Sequence, residues 1–361
     1  MNESPASAGG RAVDLLEALV AIPSVTGQEE TLCDFLEARY RREGFAVEPI
    51  AVSGGRRNLF VHRGPARVVL SAHADTVPPF FSARRQGNVL FARGACDAKG
   101  SLAAQAVAFE DLAGAGAPVG LLVLVGEERG SDGALAANRA APPPRGSPRY
   151  IVCGEPTDNR FAAGSKGCLR VAASARGVAG HSSIAGSGRS AVEPLLDFLN
   201  RVRAIERPAD PVFGETTMNI GVLEAGSAPN VIAEAARAEI LLRTGEPVAA
   251  VLGPIESAAG KDVVLSVPYR SDPIRFRVPR GARGEIVAFA CDLPLLAAWG
   301  EPILVGPGSI RDAHATQEKV ELSEIEEAVS IYRDLASGLL EKGNEYLEPD
   351  ASFMEGSPPA P

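Results

Sequence analysis

Three short apolar runs, each ending in a turn loaded with acid or histidine, constrain this chain more than any other feature. Arg67 to Ala72 is rich in β-branched residues and runs into His73-Ala74-Asp75-Thr76-Val77-Pro78. Gly120 to Val125 runs into Gly126-Glu127-Glu128, and Tyr150 to Cys153 runs into Gly154-Glu155-Pro156-Thr157. Runs this short and this apolar read as buried strands. Ser101 to Leu112 reads as a helix between them. Alternating strands and helices specify an α/β fold, a mostly parallel sheet sandwiched by helices. Functional groups of such sheets gather beyond the carboxyl ends of the strands. All three loaded turns occupy that position.

The pattern changes near Gly164. Leu169 to Val178 alternates apolar with small or polar residues, as a half-exposed strand does, and Met218 to Val222 and Ala236 to Leu242 are similar. Helices are expected over Ser190 to Val202 and Val248 to Ala259. This is a smaller α+β unit, residues 164–277, inserted into a discontinuous first domain of residues 11–163 and 278–345. The first domain resumes with a helix near Glu285 to Ala290, a strand at Pro302 to Val305 and a closing helix from Ser323 to about Leu340. Near the start, Thr26-Gly27-Gln28-Glu29 has the form of a capping box, followed by Leu32, Phe35, Leu36 and Tyr40 at helical spacing, with Gly44 as the stop. Residues 1–10 and 349–361 read as disordered tails, and the Pro-rich stretch 141–146 as a surface loop.

A chain of 361 residues, 45% of them hydrophobic, can bury a sizeable core. Its formal net charge of −9, with no run of Lys or Arg, argues against nucleic acid or an anionic membrane as partner. No apolar run reaches the ~20 residues of a membrane-spanning helix. The first residues lack the basic start and apolar stretch of a signal peptide. The five cysteines are odd in number and none forms a C-x-x-C pair, which fits a reduced cytoplasm better than a disulfide framework.

Only four histidines are present, so their placement is informative. Imidazole nitrogen and carboxylate oxygen are ligands that borderline cations such as Zn²⁺ accept. His73 and Asp75 share a strand face, so the Asp75 carboxylate can accept the second ring N–H of a metal-bound His73. Asp97 lies in Arg93-Gly94-Ala95-Cys96-Asp97-Ala98-Lys99-Gly100, a loop opening a helix. A carboxylate there can bridge two cations ~3.5–4 Å apart, or cap the helix, and the two roles are compatible. Gly100 after Lys99 excludes a phosphate-binding loop, which needs Ser or Thr at that point. Glu127 and Glu128 follow a strand and should diverge, one toward a cation and the other toward the attacking water; a solvated turn is the plainer alternative. Glu155 sits in a turn stiffened by Pro156. His314 reaches the sheet only if the last segment packs back onto the first domain. His181, in Gly180-His181-Ser182-Ser183 of the inserted unit, is either an oxyanion donor or an ordinary loop histidine. His62 and Cys96 carry no assigned role.

In combination these motifs resemble the cocatalytic zinc amidohydrolase and carboxypeptidase family that includes acetylornithine deacetylase, succinyl-diaminopimelate desuccinylase, acetylcitrulline deacetylase and bacterial glutamate carboxypeptidases. The likeness runs from about Asp14 to Leu340 and rests on H-A-D-T-V-P, R-G-A-C-D-A-K-G, G-E-E, G-E-P-T, G-H-S-S and the late A-H. The resemblance implies that His73, Asp97 and Glu155 hold one Zn²⁺, that Asp97, Glu128 and His314 hold the other, and that Co²⁺ or Mn²⁺ can stand in. It implies Glu127 as general base, Asp75 as the residue orienting His73, and His181 as stabiliser of the tetrahedral intermediate. Asn230 and Arg243 resemble groups that meet the substrate carboxylate. It implies a homodimer, with the inserted unit as lid and dimer surface.

The chain departs from the family in two places. Phe80-Phe81 stands where many deacetylases have Trp, and the segment Asp312 to Glu318 lacks an acid just before its last residue. The first expectation for the substrate is an N-acyl, specifically N-acetyl, amino acid. The second is a peptide with a free C-terminal carboxylate, or a succinylated diaminopimelate. A non-catalytic, metal-bound relative that only binds ligand is the third.

Overall fold

The computed structural model describes residues 7–140 and 148–349. They form two compact units. The first takes residues 7–140, 148–163, 275–285 and 291–349; the second takes 164–274 and 286–290.

The first unit is built on a mixed, mostly parallel sheet. Ala46–Ala51, Arg57–His62, Val119–Leu124, Val68–His73, Tyr150–Cys153 and Glu301–Leu304 lie side by side in that order. The last four are mutually parallel, while the first two add an antiparallel edge. Val68–His73, Val119–Leu124 and Tyr150–Cys153 are buried along their whole length, which explains their unbroken apolar runs. One face packs on the helices Ala8–Val20, Glu30–Arg42, Lys99–Gly114 and Leu322–Lys342 through one continuous core that includes Leu16, Leu19, Leu36, Leu70, Leu121 and Ile325. On the other face Phe60 meets Trp299 edge-on at 5.1 Å, and the indole N–H of Trp299 donates to the carbonyl of Ala137 in the helix Asp132–Ala140.

Lys99 joins two parts of this unit. Its buried ammonium donates to the carbonyls of Leu19 and Ile22, at 3.0 and 2.8 Å, so it caps the end of the first helix from the start of another. Burial pulls this lysine down to about 7.

The second unit is an antiparallel sheet in the order Thr217–Ala225, Ala235–Thr244, Gly167–Arg176, Val263–Ser271. Its inward-facing Leu169, Val171, Ile240 and Leu242 share a core with Phe198 and Leu199 of the helix Val192–Arg203 and Ile255 of the helix Val248–Ala259. Arg170 pairs with Glu239, and Arg237 with Glu224, on the exposed face of these strands, where solvent screens them. All five cysteines are buried and free. Among the described residues no helix is long and apolar enough to cross a membrane.

Three sequence expectations are corrected. A strand, Gly284–Val287, stands where a helix over Glu285 to Ala290 was expected. The β-branched pair Ile286-Val287 suits extended backbone, and the Val287 carbonyl accepts from the Lys166 N–H at 3.0 Å. The proposed tail of residues 1–10 is helical from Ala8, because the Ser7 hydroxyl oxygen accepts from the N–H of Gly10 and caps the helix. Residues 1–6, 141–147 and 350–361 lie outside the described residues. Lastly, Thr26 and Glu29 form no capping box. Gly27 has φ +96, the helix starts only at Glu30, and the Thr26 hydroxyl donates to Asp75 instead.

The central strands should carry much of the stability of the first unit. Leu121 is fully buried, and Leu121→Ala should cost about 2–5 kcal/mol in a urea unfolding titration; a cost near zero would contradict its place in the core.

Candidate metal centre

The register of the three parallel strands brings the loaded turns together. His73 lies opposite Leu124, and Ser71 lies opposite Cys153, so the turns at 73–75, 126–128 and 154–155 leave the same sheet edge. Gly126 turns the chain with φ +80, and a side chain there would strike the Asp132 carboxylate.

His73 is buried. Its Nδ1 donates to the backbone carbonyl of Asp75 at 3.0 Å, which turns Nε2 toward Asp97 Oδ1, also at 3.0 Å. The expected carboxylate–imidazole bond is displaced: Asp75 Oδ1 lies 3.6 Å from the ring. The Asp75 carboxylate instead accepts from the backbone N–H groups of Glu127 and Glu128, at 3.1 and 3.2 Å, and from the Thr26 hydroxyl at 2.8 Å. Asp75 thereby fixes His73 through its backbone and the two glutamates through its side chain.

Asp97 sits between the two histidines. Its Oδ1 faces His73 Nε2, and its Oδ2 faces His314 Nε2 at 3.2 Å. It does not cap the following helix, whose N-cap is Ala98. His314 itself adopts the left-handed region, φ +59, after the turn at Gly306-Pro307-Gly308. At Gly308, φ is +82 and an added Cβ would lie 2.7 Å from Cys96 Sγ, so only glycine lets this turn approach the Asp97 loop. The same turn is stitched to the Glu155 turn: Thr157 N–H donates to the Gly306 carbonyl at 3.2 Å, and Asp158 N–H to that of Gly308 at 2.7 Å. Glu128 Oε1 lies 2.9 Å from His314 Nε2.

Two sets of donor atoms result. His73, Asp97 and Glu155 offer ligand atoms all within 4.8 Å of one another, and so do Asp97, Glu128 and His314. Asp97 belongs to both. The Glu127 carboxylate belongs to neither.

The site crowds buried carboxylates around two imidazoles, and the shifts of these groups follow from that. Burial pushes Glu127 and Glu155 well above the usual carboxylate range, and takes Asp292 to about 6. Burial would lower His73, but Asp75 and Asp97 outweigh it and hold the imidazole well above its ordinary value. Asp97 and Glu128 hold His314 at about 10. Burial opposes ionisation of Asp97, yet His314 and His73 hold it well below the usual range. Imidazolium protons thus compensate buried carboxylates where divalent cations would do so better, and the nitrogen and oxygen donor set fits such ions.

Local sequence gave little sign of the residues that support this arrangement. Glu318 is fully buried and accepts the N–H groups of Cys96 and Asp97, with Arg93 as its ion-pair partner. Asp292 is buried next to this set of acids, with one carboxylate oxygen lacking a hydrogen-bond partner. The remaining candidates belong to the second unit. His181 pairs by backbone with Val231, its Nδ1 meets the Ser183 hydroxyl at 2.7 Å, and the Asn230 carbonyl accepts from Ser182 N–H. His181 and Asn230 are therefore near neighbours, while Arg243 lies on the strand Ala235–Thr244 opposite Thr217 and Cys168.

A sequence model for peptidase family M20/M25/M40 matches residues 69–338. A Peptidase M20 domain-containing protein of Schizosaccharomyces pombe is 34% identical over 349 residues, covering 92% of this chain and 86% of that relative. A protein of Aspergillus clavatus named "Probable carboxypeptidase" is 35% identical over 377 residues, covering 90% and 81%. Among solved structures, a tripeptidase from Staphylococcus aureus superposes with a TM-score of 0.73 at 18% identity, covering 91% of this chain and 99% of its own. An M20 family metallo-carboxypeptidase from Sulfolobus solfataricus gives 0.71 at 16%, covering 90% and 98%. A dinuclear metal binding peptidase of the M20 family from Bacillus subtilis gives 0.66 at 15%, covering 94% and 100%. At these identities the structural likeness is one of fold.

Cation binding must displace protons here. The carboxylates around them raise His73 and hold His314 at about 10, so a cation takes these nitrogens in competition with protons. Zn²⁺ titrated calorimetrically at pH 7 should release protons to the buffer, and affinity should climb with pH through the neutral range. Heats independent of the buffer's ionisation enthalpy would contradict this.

Proposed function

We propose, from the premise that this chain belongs to peptidase family M20/M25/M40, that it is a dinuclear metallo-carboxypeptidase or dipeptidase acting on small peptides with a free C-terminal carboxylate. The observation that carries the reading is Asp97, one carboxylate shared by two ligand triads beside an unligated Glu127. The named carboxypeptidase relatives, at 32–35% identity over most of this chain, support a peptide as substrate ahead of the N-acetyl amino acid expected first from sequence. Zn²⁺ is the proposed native ion.

His73, Asp97 and Glu155 would hold one cation and Asp97, Glu128 and His314 the other, and the pair would supply Lewis acidity and positive charge. The chain's own groups do the rest. Asp75 accepts from both N–H groups of the 127–128 turn and so fixes the backbone that carries Glu127. Burial raises its carboxylate toward the range of a base working near neutrality. Glu127 takes a proton from the attacking water as the water oxygen bonds to the carbonyl carbon. As the C–N bond breaks, Glu127 returns that proton to the leaving amine, and an acid and an amine depart. His181, with Asn230 and Arg243, is proposed to contact substrate; that assignment rests on the resemblance, as do the lid role of the second unit and a homodimer. An Arg guanidinium suits a C-terminal carboxylate by its bidentate geometry. The free, buried thiols support the cytoplasm as its compartment.

The test is a panel of dipeptides, tripeptides and N-acetyl amino acids, assayed with Zn²⁺ added back after chelation. Metal-dependent turnover of peptides is expected, with Glu127→Gln retaining metal and losing on the order of 10²–10⁴ in kcat. Turnover confined to acetylated amino acids would replace the peptidase reading by the deacetylase one. Metal uptake without amide hydrolysis would favour a binding protein.

A further inference from the structure

Glu318 lies outside both donor sets, yet it touches the backbone of the ligand they share. Its Oε1 accepts the N–H of Cys96 at 3.1 Å and of Asp97 at 3.0 Å. Its Oε2 meets Arg93 at 2.7 Å, and Arg93 Nε donates to the Pro79 carbonyl at 3.2 Å. Glu318 closes the segment His314-Ala315-Thr316-Gln317-Glu318, and a short ladder joins that segment to the approach to Asp97. Ala92 N–H donates to the Glu318 carbonyl at 3.1 Å, and Lys319–Glu321 pairs antiparallel with Val89–Phe91. The ladder sets these two loops side by side. Beyond it, the Cys96 thiol donates to the Ser309 carbonyl at 3.2 Å, and the Glu318 carboxylate ties the backbone of Cys96 and Asp97 to the segment that follows His314.

We infer that Glu318 is a positioning residue that holds the bridging carboxylate and the His314 loop as one piece, through two backbone N–H groups. The inference rests on the reading of Asp97 as a bridging ligand. A buried ion pair kept only for packing would need Arg93 and Glu318 to match each other, and would not need one oxygen to gather two consecutive backbone donors. Those donors are buried and require an acceptor. Losing it frees the Asp97 backbone to rotate, and outer partners of this kind commonly change metal affinity by about 10–100-fold.

Two double variants separate the acceptor from the charge. Arg93→Met with Glu318→Met removes the ion pair and the acceptor without leaving a buried charge. Arg93→Met with Glu318→Gln removes the same charges but keeps an amide oxygen. Zn²⁺ titration of the metal-free chains should show affinity lower by about 10–100-fold in the first and mostly recovered in the second. Equal affinities in the two, whether weak or strong, overturn the inference. If the first variant does not fold, amide exchange of the metal-free parent decides. Cys96 and Asp97 should exchange as slowly as the interior of the helix Lys99–Gly114, and fast exchange at both overturns the inference. A parent chain that takes up no cation sinks the metal-centre reading and this inference with it; uptake by the parent with equal doubles sinks this inference alone.

Discussion

One buried carboxylate organises this protein. Asp97 turns one oxygen to His73 and the other to His314. A charged carboxylate taken out of water is costly unless partners surround it. Here the partners come from opposite ends of the chain. His73 arrives on a central strand, and His314 arrives on a turn that only glycine at 308 lets close on the Asp97 loop. The parallel sheet is the device that brings them to one edge, and the apolar faces beneath it hold that edge still. Rigidity beneath the site matters because ligand geometry must hold to a fraction of an ångström.

The ligand triads account for two imidazoles and three carboxylates, but the local chemistry extends further. Asp75 divides its backbone and side chain between opposite tasks, fixing a histidine tautomer with one and the Glu127-Glu128 turn with the other. Moving either glutamate would therefore disturb the other and the imidazole as well. This shared support explains how adjacent residues can take different roles, one among the donor atoms and one beside them. Under the proposed function that division is what metal-assisted amide hydrolysis uses, a cation site and a base that stays free.

Much of the architecture was legible because the strands are buried on both faces. Val68–His73, Val119–Leu124 and Tyr150–Cys153 show unbroken apolar runs, and each ends where a turn begins. The helix expected at 285–290 failed because an apolar run as short as Ile286 to Ala290 has no period long enough to choose between states, and β-branching with a ladder partner then decided. The capping box failed for a tertiary reason: the Thr26 hydroxyl is claimed by Asp75, far along the chain. The candidate ligand residues stood out because His and acid at strand ends have few other reasons to occur together, and the structure gathers them into two sets of donor atoms. Glu318 could not, because its meaning lies in Arg93, 225 residues away in sequence, and in two backbone N–H groups that no residue type announces. Asp292, between a cysteine and a leucine, carried no local signal at all.

The sharpest test compares how many divalent ions each of three chains retains after loading and dialysis. The parent should keep about two per chain, as a two-metal site does, His73→Ala about one, and Asp97→Ala fewer than His73→Ala, because only Asp97 serves both triads. If Asp97→Ala keeps as many ions as His73→Ala, the shared carboxylate does not bridge, and the account built on it is wrong.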